Sequence, residues 1–299
     1  MNDFPSQPLP VDRLVSVRFP GPNLSLVYAD ATAAARELEE RHLSGPAAAR
    51  SLAEGLVAAA LLSAEASEPD EAVSFEMSCD GPVGAIFAEA TGSGSLRGYT
   101  KLKIINDLDN FERPATDVER HGTRGAVRVM RSLPGRILAT GQAAVPSPSV
   151  VHALAAYHAV SLQRKAAFLV SVRTGSDFKT ASARGLMVER MPDGDVDAFV
   201  RVLEVMNAPD AAAPLDRAAT LRALCDALAL PPDGIFTDLR PLAFGCRCSA
   251  DKVAGVLAAL PEADRAALAA AGKPVTVHCH LCGKAWTVPP PAMPAGDAP

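Results

Sequence analysis

The stretch Val73-Ser74-Phe75-Glu76-Met77-Ser78-Cys79-Asp80-Gly81-Pro82 sets the fold class of this chain. Apolar Val73, Phe75, Met77 and Cys79 alternate with Ser74, Glu76 and Ser78, the period-two pattern of a strand with one face buried. Asp80-Gly81-Pro82 then turns the chain. Val83–Ala90 and Leu96–Ile104 continue as strands, with Gly92-Ser93-Gly94-Ser95 as the turn between them. Upstream, 14–19 and 24–28 read as a hairpin around Pro20-Gly21-Pro22-Asn23. Helices follow over 30–42 and 46–66, the second with Pro46 at its start. Downstream, strands are expected near 125–130, 136–144, 167–173 and 184–191, with a helix over 148–163. The polar stretch 105–122 reads as an exposed loop. Consecutive strands joined by short turns, with helices set apart, make an α+β fold with a mainly antiparallel sheet over residues 1–192.

Residues 193–245 differ in character. Nine acidic and four basic residues give this segment a net charge of −5, equal to that of the whole chain. Val196, Phe199, Val200 and Leu203 form one helical stripe, and Leu221, Leu224, Cys225 and Leu228 another. Pro209, Pro214, Pro231 and Pro232 interrupt them. Helices this short need a docking surface for their stripes, so the segment is expected to be a helical, marginally packed linker.

The 299 residues are 48% hydrophobic and 21% charged, a globular composition with two domains as the prior. The amino terminus has neither a basic nor an apolar leader segment, and Leu56–Leu62 is too short to span a bilayer. These features lead to the expectation of a cytoplasmic protein with no membrane partner. In that compartment clustered cysteines indicate metal or redox chemistry rather than structural disulfides.

Four of the six cysteines are clustered. Cys246-Arg247-Cys248 and Cys279-His280-Leu281-Cys282 are separated by thirty residues. Two close pairs can supply the four thiolates of a tetrahedral zinc site with little chain closure in each half. The stretch between them carries one helix signal (Val253, Val256, Leu257, Leu260), then Val275-Thr276-Val277 as a strand. Gly283 permits a tight turn after Cys282. Cys246, Cys248, Cys279 and Cys282 are therefore the expected ligands. The competing readings are four free thiols, two disulfides, or a thiolate replaced by His278 or His280. A module of residues 246–288 is too small to fold on its own core, and a structural zinc site contributes about 10–16 kcal/mol. Zinc-bound thiolates remain open to oxidants, so the module's order is removable, and whatever packs on it would loosen with it. The Pro/Ala-rich tail 289–299 is expected to be disordered.

The pattern Phe244-Gly245-Cys246-Arg247-Cys248-Ser249, then Cys279-His280-Leu281-Cys282-Gly283-Lys284-Ala285-Trp286, resembles the carboxyl terminus of the heat-shock protein 33 family. Asp80-Gly81-Pro82, Leu96-Arg97-Gly98-Tyr99, Ala183-Arg184-Gly185-Leu186-Met187 and Met191-Pro192 extend the likeness over 12–288. The resemblance implies a redox-regulated, ATP-independent holdase rather than an enzyme. It implies zinc on the four cysteines, silencing in the reduced state, and oxidised disulfides Cys246–Cys248 and Cys279–Cys282. It further implies linker unfolding, a homodimer when oxidised, and unfolded or partly folded client proteins as partners. Ser161-Leu162-Gln163 departs from the family's Ser-Glu-Gln, 125–145 lacks the family's aspartate and tyrosine, and Cys79 and Cys225 lie outside the pattern.

Two other classes compete. A zinc-ribbon nucleic-acid module fits poorly. Region 246–288 has five basic residues against three acidic and Trp286 as its one aromatic, and the whole chain is acidic. A thiol-disulfide oxidoreductase would place its C-x-x-C at a helix start; here a strand precedes it. Cys79 and Cys225 read as buried packing thiols. Histidines 42, 121, 152 and 158 are scattered, and no catalytic constellation is visible.

Overall fold

The computed structural model describes residues 8–109 and 113–291. The chain forms two compact units that meet between Gly245 and Cys246.

In the first unit, β1 (Arg13–Phe19) and β2 (Leu24–Asp30) form the expected hairpin. They are followed by α1 (Thr32–His42) and α2 (Pro46–Leu62). Next come β3 (Ala72–Cys79), β4 (Ala85–Thr91) and β5 (Ser95–Thr100). A short helix α3 (Asp117–His121) precedes β6 (Gly125–Leu133) and β7 (Arg136–Val145). Helix α4 (Val150–Tyr157) runs into one π turn, and β8 (Lys165–Thr174) and β9 (Thr180–Arg190) follow. Then come α5 (Val196–Met206), α6 (Ala212–Arg217), α7 (Leu221–Ala227), β10 (Ile235–Pro241) and β11 (Ala243–Phe244).

These strands build two sheets, ordered β10-β1-β2-β9-β8 and β11-β5-β4-β3-β6-β7. Every pairing in them is antiparallel except β11 with β5. The fold is therefore α+β, as the alternation in β3 and its neighbours implied.

Helix α2 packs on strands of both sheets. Nearly all of it is interior, and apart from Arg50, Ser51 and Glu54 near its start its side chains are apolar or absent. Its glycine contacts set that spacing. A Cβ on Gly55 would lie 2.5 Å from Ile86 Cγ2 of β4, and one on Gly185 of β9 would lie 2.4 Å from Val57 Cγ1. Pro46–Glu65 is long and apolar enough to cross a membrane, but 89% of its most apolar 18-residue stretch is buried within the protein.

The structure corrects several expectations. Residues 105–122 are not simply an exposed loop. Thr116 and Glu119 form a capping box that starts α3, and Arg120 and His121 are fully buried. Strand β4 starts at Ala85 because Gly84 (φ 72°) is still in the turn, and β5 ends at Thr100. In β3, Ser74 is buried as well as Val73, Phe75 and Met77. The second face of the strand is covered only at its start, with Glu76 half-buried and Ser78 exposed further along. Cys79, at its end, is only half-buried.

Segment 193–245 is more than two helices. It also supplies α6 and two strands, one of which extends the sheet of β1. The stripe of α5 is rotated from expectation: Phe199, Val202 and Met206 are buried, while Val196 and Val200 are 57% and 42% exposed. Positions 199, 202 and 206 satisfy the helical period equally well, and the Asp195 cap sets Val196 at the exposed first turn. The stripe of α7 is as read. Leu221, Leu224, Cys225 and Leu228 are closed into a core with Val15, Val17, Phe19, Leu26 and Val188. These helices thus cover one face of the β1 sheet, and α2 lies against the other.

The second unit has α8 (Ala250–Ala258), α9 (Glu262–Ala271), β12 (Val275–His278) and β13 (Ala285–Val288). Two helices, not one, lie between the cysteine pairs. The alanine-rich run of α9 has no buried residue to mark it. Residues 292–299 of the tail expected to be disordered lie outside the described residues.

Candidate metal centre

Each cysteine pair sits at an element boundary. Ser249 accepts a hydrogen bond from Lys252 N (3.2 Å) and caps α8, fixing the chain just after Cys248. Strands β12 and β13 form an antiparallel hairpin in which Val277 faces Trp286. Cys279 to Cys282 make its turn. Cys279 N donates to Lys284 O (2.9 Å), and Gly283 N donates to Cys279 O (2.8 Å). Gly283 has φ 71°, a left-handed conformation that glycine adopts without strain. The C-x-x-C therefore lies in a hairpin turn and not at a helix start.

The four sulfurs converge. All lie within 4.8 Å of one another, with Cys246 Sγ 3.8 Å from Cys279 Sγ and Cys248 Sγ 3.5 Å from Cys282 Sγ. None of the six cysteines is in a disulfide. A zinc–sulfur bond of about 2.3 Å sets the edge of an ideal tetrahedron at about 3.8 Å. The cysteines thus fit a tetrahedral cation. His278 and His280 are exposed and stand outside this group.

The charge balance favours a cation. Burial pushes the Cys279 and Cys282 thiols above the ordinary range. Burial also opposes ionisation of Cys248, but hydrogen bonds from Trp286 Nε1 (3.3 Å) and from neighbouring thiols outweigh it and hold Cys248 low. The Cys248 thiolate is favoured, while Cys279 and Cys282 need a positive charge nearby to lose their protons. Trp286 is itself held by Lys284, whose Nζ lies 3.9 Å from the ring centroid. The sequence motif contains Trp286, but its role as a donor to Cys248 shows only in the folded hairpin.

The unit around this cluster has little else to hold it. Its core is Val253, Leu257 and Val288, with Leu260, Leu268, Val277 and Trp286 partly buried.

Residues 12–289 match the family described as Hsp33 protein. This chain belongs to the Hsp33 family. The Hsp33 relatives include the 33 kDa chaperonin of Symbiobacterium thermophilum, 28% identical over 93% of this chain and 95% of its own. Another is the 33 kDa chaperonin of Lacticaseibacillus paracasei, 30% identical over 86% of this chain and 88% of its own. The Hsp33 homolog of Thermotoga maritima superposes with a TM-score of 0.81 at 20% identity, covering 93% of this chain and 95% of that one. The fold is thus that of Hsp33, and the family is one of chaperones rather than enzymes.

A second group of potential ligands, Glu54, Asp117 and His121, lies in the first unit. A cation is already there. Arg120, fully buried, donates to Glu54 Oε1 and Oε2 (2.8 and 2.9 Å), Ser51 Oγ (2.6 Å) and Asp117 Oδ1 (2.5 Å). Burial opposes the Glu54 charge, but Arg120 more than compensates and holds the carboxyl below its usual range. This is an ion-pair network that ties α3 to α2. Cys225 is sealed in its core, and burial pushes its thiol up to about 12. His42, His152 and His158 each hydrogen-bond a main-chain carbonyl.

Proposed function

We propose that this chain is a redox-regulated, ATP-independent holdase that binds unfolding proteins under oxidative stress in the cytoplasm. The observation that carries this reading is the convergence of four sulfurs in a unit with almost no core of its own. Cys246, Cys248, Cys279 and Cys282 would hold zinc. Bound there, it would tie the start of the second unit, at Cys246 and Cys248, to the turn of the β12–β13 hairpin.

The working division is a core over 1–192, a metastable linker over 193–245, a switch over 246–288 and a tail over 289–299. Each cysteine pair gives two electrons to its own peroxide molecule, which with two protons becomes two waters; two peroxides thus leave the Cys246–Cys248 and Cys279–Cys282 disulfides. The anionic ligand set is then gone, and zinc is released with it. The second unit loses its main source of order. The linker follows the switch in sequence-adjacent fashion, uncovering the face of the β1 sheet that α5 to α7 cover, and two oxidised chains associate as a homodimer. Unfolded or partly folded proteins are the partners.

The test is suppression of aggregation of a thermally unfolded client, without ATP, by protein reduced with zinc and by protein treated with peroxide under mild heat. Suppression by the oxidised form alone supports the switch. Equal suppression by the zinc-loaded reduced form contradicts it.

A further inference from the structure

At rest the edge of β1 is occupied by β10, a strand of the very segment that the proposed switch would release. We infer that this edge, once β10 has left, is a strand-acceptor site at which an extended segment of an unfolding client pairs with the main chain of β1. This inference rests on the chaperone reading above and adds to it a place and a mode of client binding.

β10 is a poor occupant of its place. Its register on β1 runs from Arg13↔Pro241 to Ser16↔Asp238, then jumps to Val17↔Phe236, leaving Thr237 as a bulge. Of its three large apolar side chains, Phe236 packs on the core, but Ile235 and Leu239 are 54% and 57% exposed. The firm anchors lie at its carboxyl end. Arg240 donates to Gly92 O (2.6 Å), Leu242 N donates to Asp12 O (2.8 Å), and Gly245 N donates to Leu96 O (2.9 Å). Only four residues separate Pro241 from Cys246, so these anchors adjoin the first cysteine pair in the chain.

Pairing that rests on main-chain hydrogen bonds rather than side-chain fit accepts many sequences. That is the requirement of a binder of unrelated clients. The edge also adjoins an apolar face. Val15, Val17 and Phe19 of β1 belong to the cluster that α5 to α7 cover. A strand laid on β1 places every second side chain beside them. An unbulged apolar segment would bury more there than β10 does. An unfolding polypeptide offers what fits: unpaired backbone and exposed apolar side chains. Strand β7, at the end of the other sheet, has no strand beyond it among the described residues. It is open in the resting state and so does not distinguish the two states.

The test is amide hydrogen exchange of the full chain in three states: zinc-loaded and reduced, oxidised, and oxidised with an unfolded client. Client aggregation is followed in the same samples. Exchange over 13–19 should speed up about tenfold or more on oxidation. With client it should slow again, while 235–241 stays unprotected. An unbulged, extended apolar peptide added to the oxidised chain should displace client; the same peptide with proline at two of its central positions should not, since proline breaks strand pairing. Suppression of aggregation while 13–19 remains fast-exchanging with client overturns the inference and leaves the chaperone reading standing. Renewed protection of both 13–19 and 235–241 in a dimer also overturns it, since a second copy's β10 would then be the occupant. Absence of suppression in every state counts against the chaperone reading itself.

Discussion

Leu224→Ala tests whether segment 193–245 opens on its own. Leu224 is fully buried beside Leu221, Cys225 and Leu228 in the cluster beneath α7. Truncating a closed-in leucine removes its transfer free energy and leaves a cavity, costing about 2–5 kcal/mol. At about 3 kcal/mol, and with 1.4 kcal/mol per factor of ten, opening of any unit that exposes residue 224 becomes about 150-fold more frequent. If the segment is a separable unit, native-state exchange over 196–228 of the reduced, zinc-loaded protein should accelerate by that factor. Exchange in α2, on the far side of the β1 sheet, should stay as it is. Val200→Ala, at a 42% exposed position of α5, should change exchange less than threefold. Leu224→Ala should also suppress client aggregation at lower peroxide than the unsubstituted chain. Equal acceleration in α2 and in 196–228 would mean that the linker opens only with the whole first unit, and the separable switch would be refuted.

Trp286→Phe removes the N–H donor to Cys248 Sγ while keeping an aromatic ring. A hydrogen bond to a charged acceptor is worth about 1.5–3 kcal/mol, so zinc affinity in chelator competition should fall about tenfold or more. Arg120→Ala leaves the buried Glu54 with only the partly exposed Arg50 and should cost about 3 kcal/mol in urea unfolding. Glu54→Gln with Arg120→Met should recover much of that loss. The pH dependence follows from signs. Burial holds His121 and His158 below the ordinary histidine range. The unfolded chain therefore binds protons first, and stability should decline as pH falls below about 6.5. Glu54 and Glu71 are held low despite burial, Glu54 by Arg120 and Glu71 by bonds from Ser67 and Arg131. Their contribution is complete above about pH 4.5 and is lost as pH falls through their lowered values. An acid titration by circular dichroism should show a first decline near pH 6 and a second, steeper one below pH 4.5.

Much of this architecture is legible from local pattern. The hairpin of β1 and β2, the core helix α2 and the meander of β3 to β5 announce themselves by period and turn residues, because neighbours in sequence are neighbours in the sheet. The cysteine cluster is legible because tetrahedral metal binding calls for one residue type at close spacing, and the four sulfurs do converge. What stayed hidden depends on distant partners. Strand β10, with Thr237 as a bulge and Ile235 and Leu239 exposed, has no clean alternation to read, and only β1 makes it a strand. The buried Arg120 looks like any surface arginine until Glu54, 66 residues away, is placed beside it. The start of α3 was readable: Thr116-Asp117-Val118-Glu119 is a capping-box sequence overlooked among polar neighbours. The rotation of α5 was not, since two stripes share Phe199 and packing chooses between them.

The central claim is that metal on four thiolates holds the second unit ordered and the linker packed. Its most direct measurement is a peroxide titration of the reduced protein that follows zinc, thiols and amide exchange over 193–245 together. The account predicts one zinc per chain at the start. It then predicts loss of zinc with four thiols, while Cys79 and Cys225 stay reduced until the linker opens, and loss of protection over 193–245 in step. A reduced protein that holds no zinc would contradict it, as would a linker still fully protected after zinc and four thiols are gone.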